Sequence, residues 1–208
     1  RLAAPTGKAA ARLNESIAGA VAGLVPAQVP GGEAVRAAIP TEVTTLHRLL
    51  GSRPDTRHFR HHARNPLALD LLVVDEASML DLEMMASVCA ALPREARLIL
   101  LGDKDQLASV EAGAVLGDLC QRADAGHYLP QTAAWLQAAC GQPLGAALID
   151  AAGRPLDQAV AKLRFSHRFS AASGIGRLAQ AVNEGDFRAV QQVFASGFQF
   201  VEAFALFR

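Results

Sequence analysis

Two continuous apolar runs, each followed by polar residues, constrain the fold of this chain more than any other feature. The runs read LLVV at residues 71–74 and LILL at residues 98–101. Short apolar runs with turn residues at their ends are typical of parallel strands that are covered on both faces. An amphipathic helix is predicted between them, from Asp81 to just before Pro93, and another over residues 111–122. This alternation predicts an α/β fold, a right-handed parallel sheet flanked by helices.

The residues before the first run predict a helix, a loop and a second, short helix. From about residue 8 to residue 22, apolar side chains four residues apart predict one face of a helix. Prolines and glycines predict a loop or linker over residues 25–43. Thr44 or Thr45 can then cap a short helix, and Gly51 is well placed to end it.

The composition fits a packed protein without a charge field of its own. The chain has 208 residues, 51% of them hydrophobic, with 20 basic and 20 acidic side chains. Any contact with nucleic acid must therefore come from local placement of charge. The 3 cysteines form no CxxC pair, and no apolar run approaches the roughly eighteen residues of a membrane span, so we expect a cytoplasmic protein that is not in a membrane. Because the chain starts at Arg1, we also expect it to be a piece of a longer protein.

Two acidic residues, Asp75 and Glu76, directly follow the first apolar run. The carboxyl edge of a parallel sheet is where ligands of open α/β folds bind. In nucleoside triphosphatases, an acid at this position holds Mg²⁺ and a second acid polarises the water that attacks the γ-phosphorus. We therefore predict that Asp75 is the metal ligand and Glu76 the catalytic base. The alternative at this point is a pair of solvated acids at a strand end.

The second apolar run is followed by GDKDQLASV, which places Gln106 at the same predicted edge. A glutamine amide can hydrogen-bond a γ-phosphate or the attacking water, and it can exchange partners when the phosphate leaves. Gln106 is thus predicted to be a nucleotide sensor, and its alternative role is to cap a turn.

The stretch APTGKAAARL at residues 4–13 contains the one Gly-Lys pair of the chain. A phosphate-binding loop has the pattern GxxxxGK[ST], whose backbone N–H groups, lysine and hydroxyl contact phosphates and Mg²⁺. Here Leu2 stands at the first glycine position and Ala9 at the hydroxyl position. The stretch is therefore not predicted to bind a nucleoside triphosphate.

Five stretches, in order, resemble motifs Ia, Ib, II, III and IV of superfamily 1 DNA helicases. They are APTGKAAARL, TLHRLLG, LLVVDEASMLD, GDKDQLASVEAGAVLGDL and LRFSHRF. The resemblance is closest to the RecD type, the alpha subunit of exodeoxyribonuclease V. It implies RecA-like P-loop NTPase domains with ATP and Mg²⁺ in the cleft between them and single-stranded DNA across their tops.

The resemblance divides the chain into three parts. Residues 1–123 correspond to a partial first RecA-like domain with motifs Ia to III, and residues 162–208 to the start of the second domain with motif IV. Residues 124–161 are then a helical insertion or connection. The phosphate loop and its strand are expected to precede motif Ia, so the 208 residues alone are expected to be inactive.

The resemblance also assigns roles to residues. It implies that Thr6 and Lys8 of motif Ia, and Thr45, His47 and Arg48 of motif Ib, contact the DNA backbone. It implies that Arg168 of motif IV resembles an arginine finger, so that the residues predicted to bind ATP are Asp75, Glu76, Gln106 and Arg168. The histidines of RHFRHHAR at residues 57–64 lack a cysteine or acid at ligand spacing and predict a solvated basic loop and no zinc site.

The function implied is that of an ATP-dependent DNA helicase subunit of exodeoxyribonuclease V, acting in double-strand-break repair and recombination. Its implied partners are single-stranded or duplex-end DNA and the beta and gamma subunits. Two alternatives remain: a RecA-like ATPase that remodels DNA or protein without unwinding, and a non-hydrolysing module that binds DNA or a partner.

Overall fold

The structure is a computed structural model, and its described residues fall into two compact units. The units are Arg1–Gln121 and Arg122–Arg208. The described residues are 1–25, 31–56, 58–104, 115–164 and 173–196. Among them, no helix has both the length and the apolar composition that crossing a membrane requires.

The first unit is built on a parallel sheet of four strands in the order β2-β1-β3-β4. Its strands are β1 (Leu2–Ala4), β2 (Val43–Thr45), β3 (Leu71–Val74) and β4 (Arg97–Leu100). The register aligns Ala4 with Thr45 on one side of β1, and Ala3 with Val74 on the other. The carboxyl ends of all four strands therefore meet at one edge, and the predicted parallel α/β fold is confirmed.

Five helices accompany this sheet among the described residues. They are α1 (Gly7–Gly23), α2 (Gly32–Ala38), α3 (Leu46–Leu50), α4 (Leu82–Ala91) and α5 (Val115–Leu119). The loop predicted over residues 25–43 is wrong in part, because α2 lies inside it and β2 begins at its end. Glu33 in the first turn and Arg36 in the last turn both suit the dipole of this short helix, a signal that the prolines around it obscured.

The core of the first unit lies between the sheet and the α3–α4 side. Its largest fully buried side chains are Leu46, Leu50, Leu72, Val74 and Val88. β4 departs from the expectation of a strand covered on both faces, because Ile99 is 44% exposed. The apolar run predicted the strand itself, which is shifted by one residue to Arg97–Leu100, but not its one-sided burial.

The second unit is helical in its described parts. It contains α6 (Pro130–Cys140), α7 (Gly174–Asn183) and α8 (Phe187–Ala195), and α7 packs against α8. Helix α6 lies within the range predicted as a helical connection, while the division of the chain into helicase domains stays a prediction.

Polar contacts hold the loops around α6. The Tyr128 hydroxyl donates to the Val160 carbonyl at 2.6 Å, and the Leu129 N–H donates to Gln158 Oε1 at 2.9 Å. Asp150 accepts hydrogen bonds from the Ala152 N–H and from His127, which together lower the pKa of its carboxyl.

Candidate functional site

The two predicted catalytic acids lie at the carboxyl edge of the sheet. Asp75 follows β3 directly, and its N–H donates to the Ala3 carbonyl of β1 at 3.0 Å. On the other side of β3, the Leu101 N–H donates to the Val74 carbonyl at 2.8 Å. The backbone that carries the acids is thus fixed by both neighbouring strands, and both acid side chains remain partly exposed.

Glu76 has an unusual backbone conformation for a residue with a side chain. Its φ is 54° and its ψ is 38°, in the left-handed region that costs a non-glycine residue roughly 1 kcal/mol or more. The next N–H, that of Ala77, donates to the Leu101 carbonyl at 2.8 Å and closes the turn. The fold therefore offsets a local strain in order to hold a carboxylate at this position.

The turn after β4 packs tightly under the acidic turn. A Cβ atom at Gly102 would lie 3.0 Å from the Ser78 nitrogen and 3.1 Å from the Ala77 nitrogen, both backbone atoms. Ser78 itself is buried, and its hydroxyl has no hydrogen-bond partner among the residues that the structure describes. The sequence did not reveal this close approach, whose one signal was a glycine immediately after a strand.

The motif Ia residues lie at the adjoining strand end. Thr6 caps α1, and its hydroxyl accepts from the Ala9 N–H at 3.2 Å. Lys8 is exposed in the first turn of the helix. Helix α1 has 17 residues, and its N-terminal N–H groups favour an anion at this end.

The motif Ib residues stand at the end of β2. Thr45 is the last residue of β2 and caps α3, accepting from the Arg48 N–H at 3.3 Å. His47 and Arg48 are exposed on α3. The His47 and Phe59 rings also form a T-shaped contact, with ring centroids 5.9 Å apart.

The sheet order places these residues along one edge. Thr45, Thr6 and Asp75 follow or end the adjacent strands β2, β1 and β3, and Gly102 comes just after β4. Since neighbouring strands lie about 4.8 Å apart, Thr45 and Asp75 are separated by roughly 10 Å across the edge. The predicted DNA contacts and the predicted catalytic acids are therefore neighbours. Gln106 and Arg168 lie outside the described residues.

The donor set at this edge suits Mg²⁺. This ion is usually held by one or two carboxylates together with waters and the phosphates of a substrate, and not by a cage of protein ligands. Asp75 supplies an accessible carboxylate at a strand end. No group of three or more histidines, cysteines and acids capable of holding a metal occurs in the described part of the chain.

A parallel sheet flanked by helices, with two acids at its carboxyl edge, is the arrangement expected of the α/β RecA-like P-loop fold. The family model that matches is the AAA domain, over residues 1–112, and the chain belongs to this family.

Three curated proteins with similarity to this chain have names that state a function. The chain is 45% identical over 185 residues to the RecBCD enzyme subunit RecD of Haemophilus influenzae, covering 89% of this chain and 28% of that protein. It is 42% identical over 204 residues to the same subunit of Mycolicibacterium smegmatis, covering 97% of this chain and 29% of that protein. The ATP-dependent RecD2 DNA helicase of Deinococcus radiodurans is 43% identical over 122 residues, 59% of this chain and 14% of that protein.

These relatives confirm the resemblance to RecD-type helicases that the five motifs indicated. The chain spans less than a third of the length of each of them.

Proposed function

We propose that this chain is part of an ATP-dependent DNA helicase subunit of the RecD type. One observation carries the proposal: the Asp75–Glu76 turn is fixed to both neighbouring strands, and helix-capping threonines stand on the two strands beyond it. This edge combines the two carboxylates that nucleotide hydrolysis uses with backbone N–H groups and cations suited to DNA phosphates.

In this mechanism Glu76 acts as the general base. Its carboxylate accepts the proton of the attacking water, and the fixed backbone of the turn limits where that carboxylate can lie. Asp75 would hold Mg²⁺, which when bound neutralises charge on the phosphates. In the motif pattern Gln106 reports the loss of the γ-phosphate and Arg168 supplies a cation from the second domain.

DNA would lie across the β2 and β1 ends of the same edge. Lys8 and Arg48 are exposed cations there, and Thr6 and Thr45 hold the helix starts that present N–H groups to phosphates. Contacts of this kind position a strand without reading its sequence.

We further propose that the full-length protein works as the alpha subunit of an exodeoxyribonuclease V complex, with the beta and gamma subunits as partners. The support is that several relatives are named RecBCD enzyme subunit RecD. ATP-driven stepping along one strand would then serve break repair and recombination.

The test is the Glu76→Gln variant of the full-length protein. The amide keeps the size of the side chain and removes the base, so ATP turnover should fall on the order of a hundredfold or more. Unwinding of a tailed duplex should fall in parallel, while ATP binding is retained. Turnover and strand separation are measured on the same preparation.

Glu95→Gln is the matched control, because Glu95 is exposed in the turn that precedes β4, at the opposite edge of the sheet. It should leave both rates unchanged. Wild-type turnover in Glu76→Gln would reassign Glu76 to a structural role. ATP turnover without any strand separation in the wild type would favour a remodelling ATPase instead.

A further inference from the structure

A groove rich in cationic side chains lies beside α4 in the first unit. Its volume is about 440 Å³. Five of its lining side chains can carry positive charge, namely Arg53, His58, His61, His62 and Arg64. Ser87 and Ala90 of α4 form a small, neutral wall, and no acidic residue lines it among the described residues. We call this cavity the basic groove.

The loop that forms the basic groove is fixed to α3. The Arg60 N–H donates to the Gly51 carbonyl at 3.0 Å, and the His61 N–H donates to the Leu50 carbonyl at 2.9 Å. The Asn65 amide closes the loop by donating to the Arg60 carbonyl at 2.8 Å. Phe59 packs partly buried against the core. The backbone that carries His61, His62 and Arg64 is thus held in place before any ligand arrives, which reduces the entropy lost on binding.

The polar atoms of the groove are mostly donors. His61 Nδ1 lies 3.3 Å from the Asn65 carbonyl, so this nitrogen donates, whereas His62 Nδ1 accepts from the Arg64 N–H at 3.2 Å. A neutral His62 therefore carries its proton on Nε2, where it can serve a ligand. Neither Arg53 nor Arg64 forms an ion pair within the part of the chain that the structure describes. This set of hydrogen-bond donors and positive charges suits an anionic ligand.

A metal ion does not fit this groove. Three histidines are close in sequence, yet they belong to no group of potential metal ligands among the described residues. An arginine side chain has no lone pair with which to bind a metal ion. Its guanidinium group can instead donate two hydrogen bonds to two oxygens of one phosphate. The chemistry of the groove is therefore that of a phosphate site.

The basic groove adjoins a second cavity, which lies at the amino ends of β1, β2 and β3. His61 lines both this groove and a neighbouring cavity of about 350 Å³, whose other lining residues include Arg48. Arg48 is one of the predicted DNA contacts. Arg1 adds a third positively charged side chain to that cavity, and Glu42 is the one acid among its lining residues. A partner with negative charges repeated along its length matches a surface of this kind.

We propose that the basic groove binds the phosphodiester backbone of a nucleic-acid strand that also passes Arg48 in the adjoining cavity. The inference rests on the proposed function only in taking DNA as the partner. Arg53 and Arg64 are the main contacts, with His62 donating a hydrogen bond. Binding is independent of base sequence and depends on salt, because each neutralised phosphate releases counterions.

The experiment measures binding of a fluorescent oligo-dT strand, and of a duplex of equal length, by anisotropy at several salt concentrations. The 208-residue chain and the full-length protein are both used, each with the double substitution Arg53→Gln and Arg64→Gln. The Kd should rise about tenfold or more, since each charge-assisted hydrogen bond contributes on that scale. The slope of log K against log salt should become shallower by about 0.7 for each phosphate of the single strand that the protein no longer neutralises.

The matched control is Arg94→Gln with Arg97→Gln, which removes the same charge from exposed positions at the amino end of β4. It should leave affinity and slope close to wild type. The inference is supported if only the Arg53 and Arg64 variant loses affinity and salt dependence, whether for the single strand or for the duplex. Both arginines are exposed, so the thermal midpoint should not move.

Three outcomes overturn the inference. If the Arg53 and Arg64 variant keeps wild-type affinity and slope while Arg48→Gln weakens binding, the groove is not a DNA site and the proposed function stands. If wild type binds neither strand form at low salt, the inference and the proposed DNA contacts fail together. If the variant loses binding to poly-glutamate but not to DNA, the groove takes an acidic protein surface instead.

Discussion

Gly102 shows how a single residue fixes the geometry of the candidate site. Its Cα approaches the backbone of the acidic turn so closely that a Cβ would also lie 2.8 Å from Leu116 Cδ2. Backbone nitrogen atoms cannot move aside as a flexible side chain can. The close approach is therefore what lets the end of β4 support the turn that carries Asp75 and Glu76.

Gly102→Ala should lower the free energy of unfolding by about 1–3 kcal/mol, the usual cost of overpacking a tight site. Chemical denaturation measures the change. Gly19→Ala is the matched control, since Gly19 lies within α1 with nothing within 4 Å of the added Cβ, and alanine there should stabilise by about 0.5–1 kcal/mol. Equal effects of the two substitutions would mean that the approach at Gly102 is not constraining.

Glu76 is a second residue whose backbone conformation constrains the candidate site. A left-handed conformation is uncommon for glutamate, and strained residues concentrate where a side chain has a task. The residue types Asp75-Glu76 do not predict a positive φ at Glu76. The flanking N–H groups of Asp75 and Ala77 bond to the Ala3 and Leu101 carbonyls, which belong to distant parts of the sequence. The identity of the acid was visible in the sequence, whereas the way the fold holds it was not.

Among the elements, α3 is the one whose boundaries follow most directly from side-chain chemistry. Thr45 caps its first turn, and Gly51 ends it at a φ of 73°. With only five residues, the helix cannot be stable alone and depends on its caps and on the buried Leu46 and Leu50. The same short helix presents His47 and Arg48 at the surface.

Thr45→Ala should therefore cost about 1 kcal/mol of unfolding free energy, because the Arg48 N–H loses its acceptor. Thr45→Ser keeps the oxygen and should restore most of this stability. Thr41→Ala, at an exposed position before β2, is the control and should have little effect. Denaturant titration checks all three, and a serine variant as unstable as the alanine variant would show that the hydroxyl is not the stabilising group.

The sequence predicted the elements whose signals are local. Apolar runs indicated β3 and β4, and threonine and glycine indicated the two ends of α3. α2 was missed because prolines at positions 30 and 40 suggested a loop, although its own residues allow a helix. The exposure of Ile99 was missed because burial depends on what covers a strand, which a run of apolar letters does not state.

Asp75 and Glu76 lie at the predicted carboxyl edge of the sheet, and their roles stay predictions, but the order of the strands across that edge was not predictable. Strand order is a long-range property, and the chain visits β1, β2, β3 and β4 in a sequence that differs from their arrangement in space. Because β1 lies between β2 and β3, the motif Ia residues stand between those of motif Ib and the acids. The proximity of the predicted DNA contacts and the predicted catalytic acids is thus a product of topology.

At the scale of the whole molecule, the net charge does not favour DNA binding, so any DNA contact depends on local groups of cations. The net formal charge is +0, so the chain has no overall field to recruit a polyanion. Cations instead concentrate in the basic groove and around motif Ib. We therefore expect the 208-residue chain to bind DNA through local contacts.

Hydrolysis of ATP is a different matter, because the 208 residues contain no GxxxxGK[ST] pattern. Without the lysine and hydroxyl of that loop, Asp75 alone would not hold the phosphates and their Mg²⁺ against Glu76. We expect the 208-residue chain to show negligible ATP turnover, with or without single-stranded DNA, in a steady-state assay in which the full-length protein is active. The Glu76→Gln form of the same chain provides the baseline. DNA-stimulated turnover that exceeds this baseline would show that residues within the chain replace the phosphate loop, and Lys8 would then be the first lysine to test.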